Sequence, residues 1–150
     1  LIIERQAPGR TWWQIPGGFV EVDEPIHAAI EREVLEETGV VARAVDVVGF
    51  RHAAGTPDRP VANIYVVFRL EALSGEPRPD GEESFRAEFV PRERATSVPG
   101  LSAMSIWAIA GDSSTLMTST SPSTSSRTSL KNPVANSARI ACCAFSEGAA

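Results

Sequence analysis

The stretch that decides the fold reads Gly18-Phe-Val-Glu-Val-Asp-Glu24 and, after seven further residues, Arg32-Glu33-Val34-Leu35-Glu36-Glu37-Thr38-Gly39-Val40. Pro25 suits the first turn of a helix, because that turn does not use the N–H group that proline lacks. Gly39 suits the position just past a helix end. The stretch therefore predicts a helix from Pro25 to Thr38.

One stripe of this helix is apolar and faces a core. Its residues recur at helical spacing and are Ile26, Ala29, Ile30 and Val34. Glu24, or Asp23 before it, is placed to cap the helix or to face its positive end.

Another face of the helix is acidic. Glu33, Glu36 and Glu37 stand at i, i+3 and i+4, so their side chains point to one side. Three such carboxylates repel one another unless a cation binds there, and Arg32 can offset only one of the charges through Glu36. Oxygen ligands alone suit a hard divalent ion, so the pattern predicts Mg²⁺ or Mn²⁺. A solvated acidic face without metal is the alternative.

The whole stretch from Gly18 to Val40 resembles the Nudix box at every defining position. The resemblance implies an α/β fold, namely an α/β/α sandwich with a mixed β-sheet. It also implies a hydrolase that cleaves a phosphate–phosphate bond in a nucleoside diphosphate linked to another moiety. The turn Pro16-Gly17-Gly18 looks like the family's loop before the box, in which the carbonyl of the first glycine, here Gly17, is a metal ligand.

The resemblance also suggests roles for the acidic residues. Glu36 and Glu37 are the expected metal ligands, and Glu33 is a ligand or the general base. Many members carry another acid just before the last core strand, as a ligand or a base, and Glu83 fits that position better than Glu82. Arg32 is expected to orient a glutamate through a charge-assisted hydrogen bond.

Four residues outside the box are candidates for substrate binding. Arg5 and Arg10 flank the loop before the box, where a basic side chain can meet a phosphate. Trp13 can stack on a base, although a tryptophan beside a turn more often fills the edge of a core. His52 can contact phosphate, with a solvated loop histidine as the alternative.

The rest of the chain reads as strands, loops and one further helix. The loops are expected at Arg5 to Gly18, Ala53 to Pro60 and Ser74 to Glu82, and the helix at Leu101 to Ala110. The expected strands are Leu1 to Glu4, Phe19 to Val22, Val40 to Phe50, Asn63 to Leu70 and Ser84 to Val90.

The charge balance argues against a general nucleic-acid binder. The 150 residues carry 14 basic and 19 acidic side chains, and three basic and two acidic ones follow residue 110, which leaves a net charge of −6 in residues 1–110. No apolar run is long enough to suggest a membrane span. The two cysteines, Cys142 and Cys143, are adjacent and lack the spacing of a zinc site, so a reduced, cytoplasmic protein is the simplest interpretation.

The domain organisation follows from composition. Residues 1–110 are expected to form the Nudix hydrolase domain, without an N-terminal strand that relatives usually have, because Leu1 reads as part of a strand already under way. Residues 111–150 are expected to form a low-complexity, disordered tail, since Ser and Thr dominate the stretch from Asp112 to Leu130.

Several interpretations of function stay open at this point. The resemblance implies a substrate related to ADP-ribose or NADH, or a nucleoside triphosphate, and it allows a homodimer. A nucleotide-binding Nudix module without hydrolytic activity and an inactive fragment are the alternatives.

Overall fold

Six strands and two helices make up the described part of the chain. The computed structural model describes residues 1–55, 62–102, 105 and, for the backbone alone, 139–144. In chain order the elements are β1 (Ile2–Ala7), β2 (Arg10–Gln14), α1 (Ile26–Thr38), β3 (Val41–Ala53), β4 (Asn63–Ser74), β5 (Arg86–Glu88), α2 (Arg92–Ala95) and β6 (Arg139–Ala144).

The strands form two three-stranded sheets. In the first, β1 lies between β2 and β5 and is antiparallel to both. In the second, β4 lies between β3 and β6, antiparallel to β3 and parallel to β6. The second sheet is therefore mixed, as expected. The β3–β4 pairing contains three register shifts along its length.

The central strand β4 has apolar contacts on both faces. Successive side chains of a strand point to opposite sides of the sheet. Val66, Phe68 and Leu70 join a core cluster with α1, which also contains Ala29, Ile30 and Val34. Val67 joins a second cluster that also contains Ile2, Trp13, Ile15, Ala95 and Leu101. Because the sheet is covered on both sides, the α/β fold class is confirmed.

The segment before the box is a hairpin, which corrects the expected loop from Arg5 to Gly18. β1 extends to Ala7, and β2 pairs with it so that Trp13 lies opposite Glu4 and Trp12 opposite Arg5. The turn between the two strands is at Pro8-Gly9, where Gly9 has a left-handed φ of 78°.

The box helix ends at Thr38 as predicted and begins one residue later than predicted, at Ile26. Pro25 is the N-cap residue and makes no side-chain capping bond, so neither Asp23 nor Glu24 caps the helix. Gly39 ends the helix with φ 70°, and its N–H donates to the carbonyl oxygen of Leu35 at 2.8 Å.

Other expected elements are shorter or different. Phe19 to Val22 forms no strand, and the strand expected at Ser84 to Val90 is reduced to β5. The helix α2 was not predicted. The helix expected at Leu101 to Ala110 falls mostly outside the described residues. Within the tail expected to be disordered, the six residues of β6 form a strand beside β4. Among the described residues, no helix has the length and apolar character needed to span a membrane.

Candidate active site

The acidic face of α1 is positioned by the apolar face of the same helix. Ala29, Ile30 and Val34 are fully buried against the strands. This packing fixes the rotation of α1 and turns Glu33 and Glu37 toward the loop of residues 15–18. Glu36 is farther out, with 58% of its side chain exposed.

Glu37 is the most buried carboxylate of the site, with only 2% of the residue exposed. Its Oε2 accepts a hydrogen bond from the N–H of Gly17 at 2.9 Å. Its Oε1 accepts a hydrogen bond from Nη2 of Arg5 and forms an ion pair with that guanidinium. Both oxygens are therefore held by groups from the hairpin and the glycine loop.

Burial and neighbouring charges raise the pKa of two glutamates of the site. Burial raises the pKa of Glu37 to about 7, although Arg5 and the Gly17 N–H act in the opposite direction. Burial also raises the pKa of Glu33, against the effect of Arg32. The charges of Glu33 and Glu83 add to the rise for Glu37, so these three carboxylates lie close enough to repel one another.

Arg32 uses all five of its N–H donors inside the box. Nε and Nη2 bind the two oxygens of Glu24 at 2.9 and 3.0 Å, and Nη2 also donates to the carbonyl of Phe19 at 3.1 Å. Nη1 donates to Glu33 at 3.1 Å and to Glu36 at 2.9 Å. These bonds occupy every N–H donor of Arg32 and hold it against the carboxylates of Glu24, Glu33 and Glu36.

The two glycines before the box have different structural roles. Gly17 has φ 150°, a backbone conformation that residues other than glycine rarely adopt. At Gly18, a Cβ atom would overlap the carboxylate group of Glu33. The loop therefore needs glycine at both positions for the backbone to approach the glutamates.

Glu83 joins the site through Arg5. Nη1 of Arg5 donates to the Glu83 carboxylate at 2.7 Å and to its carbonyl oxygen at 3.0 Å. One guanidinium thus bridges Glu83 and Glu37, which are far apart in sequence. The structure brings together the acids Glu33, Glu36, Glu37 and Glu83 that the sequence analysis singled out.

Sequence reasoning missed two residues beside Glu83. Oδ1 of Asp80 accepts hydrogen bonds from the N–H groups of Glu82, Glu83 and Ser84 at 2.8–3.0 Å. The fully buried hydroxyl of Ser84 donates to the carbonyl of Glu37 at 2.6 Å. Burial tends to raise the pKa of Asp80, but the hydrogen bonds outweigh it and the pKa is lowered. The sequence placed Asp80 in the expected loop from Ser74 to Glu82 and indicated no role for Asp80 or Ser84.

The carboxylate oxygens of the site are ligands of the type that a hard divalent ion prefers, although they are not arranged around one common position. Among the described residues, no three acidic, histidine or cysteine side chains converge as they stand on one metal position. Arg32 bridges Glu33 and Glu36, and Arg5 bridges Glu37 and Glu83, so guanidinium groups supply the positive charge. The acidic side chains offer only oxygen atoms, which suit a hard divalent ion. Burial is the main cause of the raised pKa values of Glu33 and Glu37, and the charges of neighbouring glutamates add to it.

The candidates for substrate binding are spread over the fold. Arg5 contacts the acidic cluster itself. Arg10 is exposed and stacks over the ring of Trp12, 4.3 Å from its centroid. Trp13 is buried in the core cluster of Ile2 and Val67, with Arg86 over its ring, which favours the core alternative. His52 is exposed on β3, opposite Ile64 and near the end of the strand that is remote from α1.

The geometry of the box agrees with a match to a known family. The model of the NUDIX domain family matches residues 1–107, most of the chain. The chain belongs to the Nudix family. The fold also resembles a solved structure, the Escherichia coli ORF135 protein, with a TM-score of 0.56 and 23% sequence identity over 73% of this chain and 76% of that one.

Two curated relatives share parts of the Nudix chain. An ADP-ribose pyrophosphatase of Methanocaldococcus jannaschii is 34% identical over 91 residues, which are 59% of this chain and 52% of the relative. Nudix hydrolase 8 of Arabidopsis thaliana is 33% identical over 94 residues, 61% of this chain and 25% of the relative. The chain therefore spans about half the length of the first relative and a quarter of the second.

Proposed function

We propose that this Nudix chain is a divalent-metal-dependent pyrophosphohydrolase that cleaves a nucleoside diphosphate linked to another moiety. The observation that carries the proposal is the contact of two carboxylates with the glycine loop, Glu37 with the N–H of Gly17 and Glu33 beside Gly18, while Arg5 links Glu83 to Glu37. Two neighbouring carboxylates as buried as Glu33 and Glu37 are costly in a protein that binds no cation.

The metal site would draw on the box helix and the glycine loop. Glu36 and Glu37 are the proposed ligands, together with the carbonyl of Gly17 and with Glu33 or Glu83. Mg²⁺ is the first candidate ion, and Mn²⁺ the second. When bound, the ion would neutralise charge on the phosphoryl oxygens and lower the pKa of the attacking water.

The other proposed roles, proton transfer and the positioning of the glutamates, belong to side chains of the protein. Glu33 and Glu83 compete for the role of general base, which takes a proton from the attacking water. Burial raises the pKa of Glu33, which makes its carboxylate a stronger proton acceptor. Arg32 keeps the Glu33 and Glu36 carboxylates in place.

Arg5 is proposed to serve the substrate once a metal neutralises the carboxylates. Its guanidinium now binds Glu37 and Glu83, so a cation at those oxygens would weaken both ion pairs. The N–H groups of the Arg5 guanidinium, once freed from the two glutamates, have the geometry to bind two oxygens of a phosphate group. Arg5 thus links metal binding to phosphate binding.

The proposed substrate class is a dinucleotide-like or sugar-linked nucleoside diphosphate, with ADP-ribose first. The support is the M. jannaschii relative, whose name is ADP-ribose pyrophosphatase, at 34% identity. NADH and nucleoside triphosphates complete the class. We further propose a cytoplasmic location, and a homodimer as the assembly to test.

The test is phosphate release coupled to a phosphatase in the presence of Mg²⁺. The panel contains ADP-ribose, NADH, dinucleoside polyphosphates and 8-oxo-dGTP. Turnover of one class should fall by orders of magnitude in Glu36→Gln, which keeps the size of the side chain and removes its charge. Glu71→Gln is the matched control, because Glu71 is exposed and pairs with Arg43 on the β3–β4 surface.

The same assay separates the competing functions. Binding of a nucleotide without turnover, unchanged in Glu36→Gln, would favour a non-hydrolytic module. A folded chain that binds neither Mn²⁺ nor any nucleotide of the panel would indicate an inactive fragment. Comparing Glu33→Gln with Glu83→Gln assigns the base, since loss of the base lowers kcat more than it weakens Mn²⁺ binding.

A further inference from the structure

The loop of residues 80–84 is built around a single carboxylate oxygen. Oδ1 of Asp80 accepts three consecutive backbone N–H groups, from Glu82 at 2.9 Å, Glu83 at 3.0 Å and Ser84 at 2.8 Å. Gly81 provides the left-handed φ of 81° that this tight turn requires, and its N–H binds the Ser84 carbonyl at 2.9 Å. The backbone of Glu83 is therefore fixed on both sides.

Ser84 attaches this loop to the end of the box helix. Its hydroxyl donates to the carbonyl oxygen of Glu37 at 2.6 Å and accepts from the N–H of Asp80 at 3.1 Å. The last carbonyl groups of a helix have no partner within the helix, so this bond satisfies one of them. Ser84 is fully buried, which excludes water as a competing partner.

The consequence is a defined position for Glu83. Its side chain is 69% exposed, so packing alone does not hold it in place. Its backbone is held by Asp80, and the loop is held by Ser84 to the residue that carries the Glu37 carboxylate. The positions of the Glu83 and Glu37 carboxylates, which both bind Arg5, are thus linked through the side chains of Asp80 and Ser84.

We propose that Asp80 and Ser84 are positioning residues, which fix Glu83 against the end of α1 so that its carboxylate completes the acidic cluster. The inference rests on the proposed function, because the position of Glu83 matters only if Glu83 binds the metal or moves a proton. Groups that hold a ligand in place commonly affect metal affinity or activity by about 10- to 100-fold.

The test is a double-mutant cycle between Asp80 and Glu83. Asp80→Ala, Glu83→Gln and the double variant are compared for kcat, KM and the Kd of Mn²⁺, measured by electron paramagnetic resonance. Asp80→Ala should lower kcat and weaken Mn²⁺ binding to about the level of Glu83→Gln. The double variant should then lose little more, since one residue acts through the other.

Two controls separate positioning from general stability. Asp80→Asn keeps an oxygen that can accept the three N–H bonds, so it should restore most of the activity lost in Asp80→Ala. Asp46→Ala removes an aspartate that is paired with Arg69 on the exposed surface, and it should leave kcat unchanged. Where Asp80→Ala does not fold, Ser84→Ala, which keeps the Asp80 bonds to the backbone, takes its place in the cycle.

The outcomes distinguish this inference from the proposed function. Losses that multiply in the double variant, or a lowered melting temperature with normal kcat and Mn²⁺ affinity, would overturn the positioning role. If the wild-type chain hydrolyses no substrate, the proposed function is overturned. The positioning role would still stand if Asp80→Ala weakens Mn²⁺ binding in the wild-type background and has no effect in the Glu83→Gln background.

Discussion

Glu37 combines a carboxylate with almost complete burial, and its protonation should affect folding in the absence of divalent ions. Its pKa is raised to about 7 in the folded chain, above the value of 4.5 for an exposed glutamate. Because the folded state then binds the proton more tightly, the contribution is complete below pH 4.5 and is lost as pH rises through 7. The loss amounts to at most about 3 kcal/mol.

The measurement is urea denaturation in EDTA at pH 5 and pH 8. The wild-type chain should lose more stability between these values than Glu37→Gln, which cannot titrate at that position. A smaller slope remains in the variant, because the pKa of Glu33 is raised as well. Equal slopes in both proteins would contradict the assignment.

Gly18 and Gly9 are expected to show opposite effects when each is replaced by alanine. At Gly18 the new methyl group meets only the flexible end of Glu33, so the side chain moves and the fold remains. Activity should fall about 100-fold, because a misplacement of about 1 Å has that effect, while stability changes by less than about 1 kcal/mol. At Gly9 no atom lies within 4 Å but φ is 78°, so stability should fall by about 1 kcal/mol with activity retained.

At the scale of the element, the turn before α1 contains a strained residue. Asp23 has φ 64°, in the region that glycine adopts most easily. Asp23→Gly should therefore raise the free energy of unfolding by up to about 1 kcal/mol, as measured by thermal melting. Val22→Gly is the neighbouring control, which has no positive φ to relieve and should lower stability.

The elements that the sequence predicts well are those with local signals. The bounds of α1 depend on Pro25 and Gly39, and both act within one turn of the helix. The hairpin of β1 and β2 was missed. The turn signal Pro16-Gly17-Gly18 favoured a loop in this region, and local sequence patterns do not show that Trp13 pairs with Glu4. Similarly, helical spacing places Glu33, Glu36 and Glu37 together, whereas the role of Ser84 depends on a contact with Glu37, 47 residues away.

At the scale of the whole molecule, the position of α1 depends on its contact with β4. Leu70 is 1% exposed and packs in the cluster with Ile30 and Val34, while Leu73 on the same strand is 54% exposed. Leu70→Ala should lower the free energy of unfolding by about 2–5 kcal/mol. Leu73→Ala should lower it by less than about 1 kcal/mol. Urea denaturation of both variants checks the difference, and similar losses would contradict the assignment of the core.

The register shifts between β3 and β4 affect how well the exposed edge of β3 can pair with a second chain. In the described part of its sheet β3 is an outer strand of 13 residues, and it exposes Val45, Val47, Val48 and Phe50. A long, flat and apolar edge invites pairing with a second chain. Irregularities of this kind bend a strand and interrupt its regular pairing, so with three of them we expect a second chain to match β3 only over short stretches. The same irregularities that break the pairing pattern within the molecule therefore help to keep separate molecules apart.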